Sequence, residues 1–465
     1  MFDPVIRRFF DRVAVRALRR NRARLDRFKL ARRSHVRARL LADPGIAEAV
    51  RVYAASQGVS EADAWAIVER YVLEIVPFFN IIAYYHVGYR VAGWLLNLFY
   101  RVAVEWEDAG AHRQLPRDAV VVYLMNHRSN ADYVLVSYAL AGQVAISYAV
   151  GEWARAFQLE VVFKAFGSYF VRRRYREPLY HTVLERYVQL ITREGVTQGI
   201  FLEGGLTRDG RLRAPKLGLL DYVLGIARDP GYAERLYIIP VAVNYDRVLE
   251  DRSLLRELGT GGGGESRASR LRQMREVVGY LVWNVGRLLT RKWKRYGRAA
   301  LTVGRPMPVA EWFRAHPAVF ELPKPERLAQ VQQLCDTVLE RIGRIIPVTP
   351  VPLACTAIQS LDGDWIPRDK LLARMSEMHQ LLVMMGARVV SADRDVEESF
   401  ERAWRMLRMR RMLVADGDGF AVIARNRPLI SYYANSIAHL LGPWADGVRA
   451  RDALPIERAS PQRAP

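Results

Sequence analysis

The chain has 465 residues, 51% of them hydrophobic and 26% charged, a composition that builds packed domains and excludes a disordered or low-complexity protein. Its 70 Lys and Arg against 49 Asp and Glu leave a formal charge of +21, which points to an anionic partner: nucleic acid, anionic lipid or a phosphorylated substrate. Cys335 and Cys355, the only cysteines, belong to no CxxC or His-rich cluster, so neither a disulfide scaffold nor a zinc or other metal site is expected, and a reducing compartment is.

Residues 1–104 read as an N-terminal helical, basic, membrane-associating region. Phe2, Val5, Ile6, Phe9, Phe10 and Val13 recur at helical spacing and form an apolar stripe, which Arg7, Arg8, Arg12, Arg16, Arg19 and Arg20 flank. A helix of that kind suits an anionic membrane surface, where each basic residue is worth about 1 kcal/mol. The alternative is a helix docked on its own domain. No apolar run with a small-residue cleavage site opens the chain, so no secretory signal is expected, and Asp3, Asp11 and Asp26 count against an organelle transit peptide. Asp43-Pro44 and Ser60 with Asp63 start two amphipathic helices separated by Gly58. Residues 71–104 are largely apolar and aromatic, yet Glu74, Arg90 and Arg101 interrupt them, so no window reaches the roughly 20 apolar residues of a spanning helix. The mixture predicts an interfacial helix pair, with a buried helical hairpin as the alternative.

Residues 105–348 alternate apolar strands with helical segments, the pattern of an α/β domain: a mixed β-sheet flanked by helices. Strands are expected at 119–125, 144–149, 168–172, 199–203, 236–243 and 299–304. Helices are expected at 129–142, 152–165, 177–193, 216–228, 268–290 and 325–344, with a mobile glycine-rich loop at 259–265. Residues 349–465 read as a smaller, mostly helical C-terminal region with a hairpin at 411–425 turning on Asp416-Gly417-Asp418-Gly419, and a disordered tail.

Chemistry concentrates in four segments. In AVVVYLMNHRSNADY, at 119–133, a buried strand ends at Met125 and Asn126, and Ser129 and Asn130 can cap the helix that follows. His127 then sits in the strand-to-helix turn, and Asp132 can reach back to fix its tautomer. The pair is two-thirds of a Ser-His-Asp relay without the serine, and so reads as a base that activates a substrate hydroxyl. A helix cap beside a solvated acid is the simpler alternative. GSYFVRRR, at 167–174, sends Arg172 and Arg173 to opposite strand faces, so that one of them can offer a guanidinium to phosphate. FLEGGLTRDGRLRAPKLG, at 201–218, places Glu203 at a strand end, then Gly204 and Gly205, then Arg208, Arg211 and Lys216. A carboxylate for hydroxyls and cations for a phosphate would suit a polyol phosphate. LYIIPVAVNYD, at 236–246, is a buried strand broken by Pro240, which shapes a pocket wall.

The order and spacing of these segments resemble the four acyltransferase blocks of the membrane-bound glycerol-3-phosphate 1-O-acyltransferases, the bacterial and mitochondrial branch of the glycerolipid acyltransferases. His127 and Asp132 match the first block. Gly167, Phe170 and Arg173 match the second, Glu203, Gly204 and Arg208 the third, and Pro240 the fourth. Pro215-Lys216 with Gly218, and SYYANSIAHLL at 431–441, are also similar to that branch. The resemblance implies His127 as general base, Asp132 as its orienting acid, and Arg173, Glu203, Arg208 and Lys216 around the acyl acceptor, beside which Arg172, Gly204 and Arg211 are also expected to bind substrate. It also implies a fatty acyl donor, acyl-CoA or acyl-carrier protein, with no further cofactor and no metal. The acceptor would be the 1-hydroxyl of glycerol 3-phosphate and the product lysophosphatidic acid, made at the cytoplasmic face of a membrane, the inner membrane in a bacterium. Leu206 stands where the family carries an arginine, and the chain is shorter than typical members. Leu206 keeps open a second reading, the same chemistry on a lysophospholipid, dihydroxyacetone phosphate or an amino-lipid. A third reading, a non-catalytic basic protein on membrane or nucleic acid, leaves the four blocks unexplained and lacks a stacked-aromatic signature, so nucleic acid is not an expected partner.

Overall fold

The computed structural model describes residues 33–79, 88–141, 144–151, 160–172, 175–259, 295–361 and 363–444. The arginine-flanked stripe at 2–13, the glycine-rich loop from 260 on, the helix expected at 268–290, the tail beyond 444 and Arg173 lie outside these residues.

Three helices open the described chain: α1 (Arg33–Leu41), α2 (Pro44–Gln57) and α3 (Glu61–Ile75). Their boundaries follow local chemistry. The Asp43 carboxylate accepts the N–H groups of Gly45 and Ile46 ahead of Pro44, Gly58 ends α2 at a φ of 65°, and the Ser60 hydroxyl accepts the N–H of Asp63 to start α3. The apolar stripes of α2 and α3, including Ile46, Val50, Val68 and Val72, are buried. After α4 (Tyr89–Phe99) the chain becomes a strand, β1 (Arg101–Trp106), so residues 101–104 are not the helical continuation expected. Alternation in Arg101-Val102-Ala103-Val104 suits a sheet edge, and the segment pairs in parallel with β7 (Arg298–Val303).

The central sheet runs in the order β1, β7, β6 (Leu236–Tyr245), β2 (Val120–Met125), β5 (Gln198–Phe201), β3 (Ser147–Gly151), β4 (Tyr169–Val171), and the two-residue β8 (Met307–Pro308) pairs with β6. Strands β2 to β6 are parallel to one another, while β7 lies antiparallel to β6. The sheet is therefore mixed, with helices packed on it. Strand β2 is buried at all six positions, which accounts for its unbroken apolar run: both faces are covered, and each such side chain contributes roughly 1.5–3 kcal/mol. On one side α6 (Pro178–Arg193), with proline at its start, buries Leu179, Val183, Leu184 and Val188.

Pro240 does not break β6, which continues from 236 to 245. The Pro240 carbonyl accepts the N–H of Gly304, so its nitrogen faces the same flank. On that flank β7 ends at Val303 opposite Val241 and β8 begins at Met307 opposite Ile238, so no ladder bond is lost.

Beyond α7 (Gly218–Leu224), α8 (Asp251–Gly259) and the long α9 (Lys324–Arg344) lies the C-terminal region. It is mostly helical, built around α10 (Pro350–Gln359), which is buried at every position, with α11 (Arg368–Met384), α12 (Val396–Met409) and α13 (Arg427–Asn435) about it. It also holds two small sheets. The parallel pair β9 (Pro347–Val348) and β11 (Arg388–Val389) is one. In the other, β10 (Trp365–Pro367) joins the hairpin of β12 (Leu413–Asp416) and β13 (Gly419–Val422), which turns where the sequence placed it.

Candidate active site

The carboxyl end of β2 is locked before the site begins. The Asn126 side chain donates to the carbonyl of Val243 at 3.0 Å and accepts that residue's N–H at 2.8 Å, extending the β2–β6 pairing by side-chain hydrogen bonds. His127 follows in an irregular turn, and α5 (Asp132–Leu140) starts five residues later. The Asp132 carboxylate folds back over this turn. Oδ2 accepts the N–H groups of Arg128 at 2.7 Å and Ser129 at 3.0 Å, and lies 2.9 Å from His127 Nδ1. Oδ1 accepts the hydroxyl of Tyr245 at 2.6 Å. Asp132 thus satisfies the first two backbone donors of the turn after His127, and the Ser129 hydroxyl accepts the N–H of Ala131 at 3.1 Å, while the Asn130 side chain caps nothing among the described residues.

A carboxylate can only accept, so the neutral imidazole carries its proton on Nδ1 and its lone pair on Nε2. The ring stacks on Phe201 with centroids 4.0 Å apart and meets Tyr133 edge-on at 5.6 Å. His127 and Asp132 are both buried. This arrangement suits a base presenting Nε2 to an alcohol.

Glu203 is tied into the same turn. Its Oε1 accepts the backbone N–H of His127 and Oε2 that of Arg213, each at 3.1 Å, so the carboxylate joins the two motif loops. Burial raises its pKa to about 7, against the lowering effect of the His127 N–H. Beside it, Glu250 accepts the Ser129 hydroxyl at 2.7 Å and the Asn130 N–H at 3.2 Å, and burial raises its pKa to about 7 as well.

The expected acceptor-binding residues divide. Gly204, at a φ of 64°, lies against the Lys216 side chain, and Lys216 and Arg211 are exposed on the loop that follows. Arg211 borders a cleft of about 760 Å³ shared with Leu339, Arg344 and His439. Arg208 donates from Nε to Glu257 at 3.2 Å. Leu206 packs against the core, and its carbonyl accepts from Arg213. Arg172 is engaged by other side chains: it forms a bidentate pair with Glu74 of α3, with Nε–Oε1 at 2.7 Å, and lies over the rings of Tyr71, Tyr175 and Tyr180. In this setting it holds α3 to the end of β4. Among the described residues, no group of three or more His, Cys, Asp or Glu side chains is placed to hold a metal ion.

Tyr245, Glu250 and Arg128 were not singled out from sequence. The signal for Tyr245 and its neighbours was polar residues at the carboxyl end of an apolar strand, NYD at 244–246, where parallel sheets present ligand-facing groups. Arg128, itself buried, donates to the Gly210 carbonyl and, at 3.4 Å, to Asn244 Oδ1. The C-terminal region reaches the same loop through Asn435, whose amide donates to the Asp209 carbonyl at 2.9 Å.

Comparison with known proteins agrees with this layout. Residues 110–244 match the family model described as Acyltransferase, and residues 282–445 match the one described as Glycerol-3-phosphate acyltransferase C-terminal region. A glycerol-3-phosphate acyltransferase from Aeromonas hydrophila is 28% identical over 453 residues, covering 94% of this chain and 54% of the relative. One from Pasteurella multocida is 27% identical over 458 residues, with the same shares. The chain therefore spans about half the length of the curated relatives it matches. Among solved structures, the 1-acyl-sn-glycerophosphate (LPA) acyltransferase PlsC from Thermotoga maritima matches 55% of this chain and 75% of its own at 16% identity and a TM-score of 0.29, a likeness too slight to bear on function. Along nearly its whole length the chain is similar to the glycerol-3-phosphate acyltransferases, with a match to an acyltransferase model followed by a match to their C-terminal region.

Proposed function

We propose that the protein transfers a fatty acyl group from a thioester donor, acyl-CoA or acyl-carrier protein, to the 1-hydroxyl of glycerol 3-phosphate. The observation that carries this reading is the buried His127–Asp132 pair, 2.9 Å apart at the carboxyl end of a central parallel strand. His127 Nε2 takes the hydroxyl proton as the oxygen attacks the thioester carbonyl. The C–S bond then breaks, and the leaving thiolate receives the proton from the imidazolium. A thioester is already electrophilic, so positioning and proton removal suffice, and no acyl-enzyme is needed. Arg208, Arg211 and Lys216, together with Arg173, supply cations for the acceptor's phosphate, while Glu203 sets the turn that carries the base.

Leu206 favours a second reading in which the same chemistry acts on a more apolar acceptor, because it presents an aliphatic side chain where the family's arginine would contact phosphate. Purified protein given radiolabelled glycerol 3-phosphate with each donor decides between them: no labelled lysophosphatidic acid with either donor, alongside ready acylation of a lysophospholipid, sinks the first reading.

On this reading the reaction takes place at a membrane surface. Among the described residues no helix is long and apolar enough to cross a membrane. Leu73, Phe78, Val161 and Val162 are nonetheless exposed, on segments held side by side by the Lys164–Leu73 hydrogen bond and the Phe79–Phe166 bridge. Exposed apolar side chains beside a strongly basic chain suit shallow immersion in anionic lipid.

A further inference from the structure

The hydrogen-bonded chain that begins at His127 does not end at Asp132. Tyr245, the last residue of β6, donates its hydroxyl to Asp132 Oδ1 at 2.6 Å, and its ring is fully buried. That ring packs 5.5 Å from the ring of Tyr100, whose own hydroxyl donates to the Arg247 carbonyl at 2.8 Å. The acyl-transfer mechanism makes no use of the Tyr245 hydrogen, since the backbone of Arg128 and Ser129 already meets Oδ2. We propose that Tyr245 is a positioning residue for the reaction: its O–H fixes the plane of the Asp132 carboxylate and moderates the pull of that carboxylate on His127. The inference rests on the acyl-transfer reading of the site.

The geometric half follows from rotation. A carboxyl group turns readily about its last side-chain bond, and donors on one oxygen alone leave that rotation soft. Tyr245 engages the other oxygen, so Oδ2 is kept facing Nδ1. The electrostatic half follows from sharing charge. A hydrogen bond to a carboxylate stabilises its negative charge and so reduces the stabilisation left for an imidazolium beside it. Burial, and after it the Asp132 charge, raise the Tyr245 phenol well above the ordinary tyrosine range, which keeps it a donor at neutral and mildly alkaline pH.

Other ionisable groups surround the pair. Glu203 lies after β5, Arg128 in the turn, and Tyr133 on α5. Arg247 and Asp246 follow β6, Glu250 and Asp251 lead into α8, Tyr100 and Tyr296 flank β1 and β7, and Tyr432 sits on α13. Among the described residues, only His127 and Tyr245 bring a side-chain donor to Asp132.

The test is Tyr245→Phe in the full chain, read through the pH dependence of acyl transfer from acyl-CoA to glycerol 3-phosphate. The expected result is kcat lowered about ten- to a hundred-fold, the loss of one charge-assisted hydrogen bond, with both KM values nearly unchanged. The acid limb of the profile should move upward, because the unshared carboxylate holds the imidazolium more tightly. Tyr100→Phe removes a hydroxyl from the same cluster without touching Asp132, and should lower thermal stability while leaving the limb in place. Should Tyr245→Phe not fold, a ring-fluorinated tyrosine placed at 245 keeps the shape, donates more strongly and should move the limb downward. The imidazole titration of His127, followed by NMR on labelled histidine, reports the same shifts without turnover. A limb and a titration that stay put on both substitutions at 245, or that move equally in Tyr100→Phe, overturn the inference. His127→Ala keeps the two failures apart: wild-type turnover in that variant refutes the base itself, whereas lost turnover with an unmoved limb at 245 refutes only the role of Tyr245.

Discussion

Gly210 lies against the backbone carbonyl of Tyr432 at a φ of 86°, with no room between them for a Cβ. The carbonyl of Gly210 itself receives the guanidinium of Arg128, next to His127. One residue of the cationic loop is thus gripped from both sides, by the turn that holds His127 and by helix α13 of the C-terminal region.

Gly210→Ala should displace that loop. Left-handed backbone and a backbone overlap act together, so a loss of roughly 1–3 kcal/mol in stability is expected, with a raised KM for the acceptor. Urea denaturation and initial-rate kinetics check both, and an alanine variant indistinguishable from wild type would refute the clamp.

His127→Ala should lower turnover by about 10²- to 10⁴-fold while the protein still folds, the usual contribution of a general base. Asp132→Asn should also lose activity, by misorienting the ring, and should destabilise the turn whose N–H groups the carboxylate collects. More than half of wild-type turnover in His127→Ala would remove it from the mechanism.

Glu203 gives a pH dependence of stability. Its carboxyl is raised from 4.5 to about 7 on folding, so the folded chain binds this proton more tightly than the unfolded one. The resulting stabilisation is fully present below about 4.5 and is lost as pH rises to about 7. Glu250, raised to about 7, and Asp246, raised to about 6, act in the same direction over overlapping ranges. Glu203→Gln should flatten the decline in urea midpoint between pH 5 and pH 8. An identical decline in the two proteins would show that Glu203 is not the source.

Arg208→Ala should raise the KM for glycerol 3-phosphate by roughly ten-fold, one charge-assisted contact, with a much smaller effect on the donor's KM. Leu206→Arg should be neutral or should lower the acceptor's KM. The Glu257 carboxylate beside Arg208 also sets this value, and Glu257→Gln should strengthen acceptor binding by leaving more of the guanidinium's charge for phosphate. An unchanged acceptor KM in Arg208→Ala would move the phosphate site elsewhere.

Protein mixed with anionic vesicles at low salt should pellet with them and be partly released at high salt, since screening removes the arginine contribution but not apolar burial. Complete recovery in the supernatant at low salt would argue against the membrane placement.

Strand cores were legible in the sequence because apolar β-branched runs such as 120–125 and 236–245 leave little choice of structure. So was the His127–Asp132 contact, because a strand-to-helix turn brings residues five apart together. What was not legible depends on partners distant in sequence. Residues 101–104 became strand because β7, almost 200 residues on, offers them a register. Arg172 looked like a phosphate ligand until Glu74 and three tyrosine rings enclosed it. Glu203 looked like a hydroxyl acceptor, but two backbone N–H groups occupy its oxygens. Tyr245 reaches Asp132 across 113 positions, a distance no local pattern spans.

The C-terminal region is also joined to the acyltransferase domain by a buried charge. Asp251 of α8 takes the guanidinium of Arg410 on both oxygens and the hydroxyl of Tyr433, with all three residues buried. Removing either side strands an ionised group in the interior, at a typical penalty of about 3–5 kcal/mol, more than most single contacts contribute. The segment matched at 282–445 therefore cannot be exchanged between relatives independently of α8, which precedes it. A chimera that takes its C-terminal half from another member must bring residues equivalent to Arg410 and Tyr433 or lose Asp251 as well, and a library of such chimeras selected for solubility should recover these three positions together.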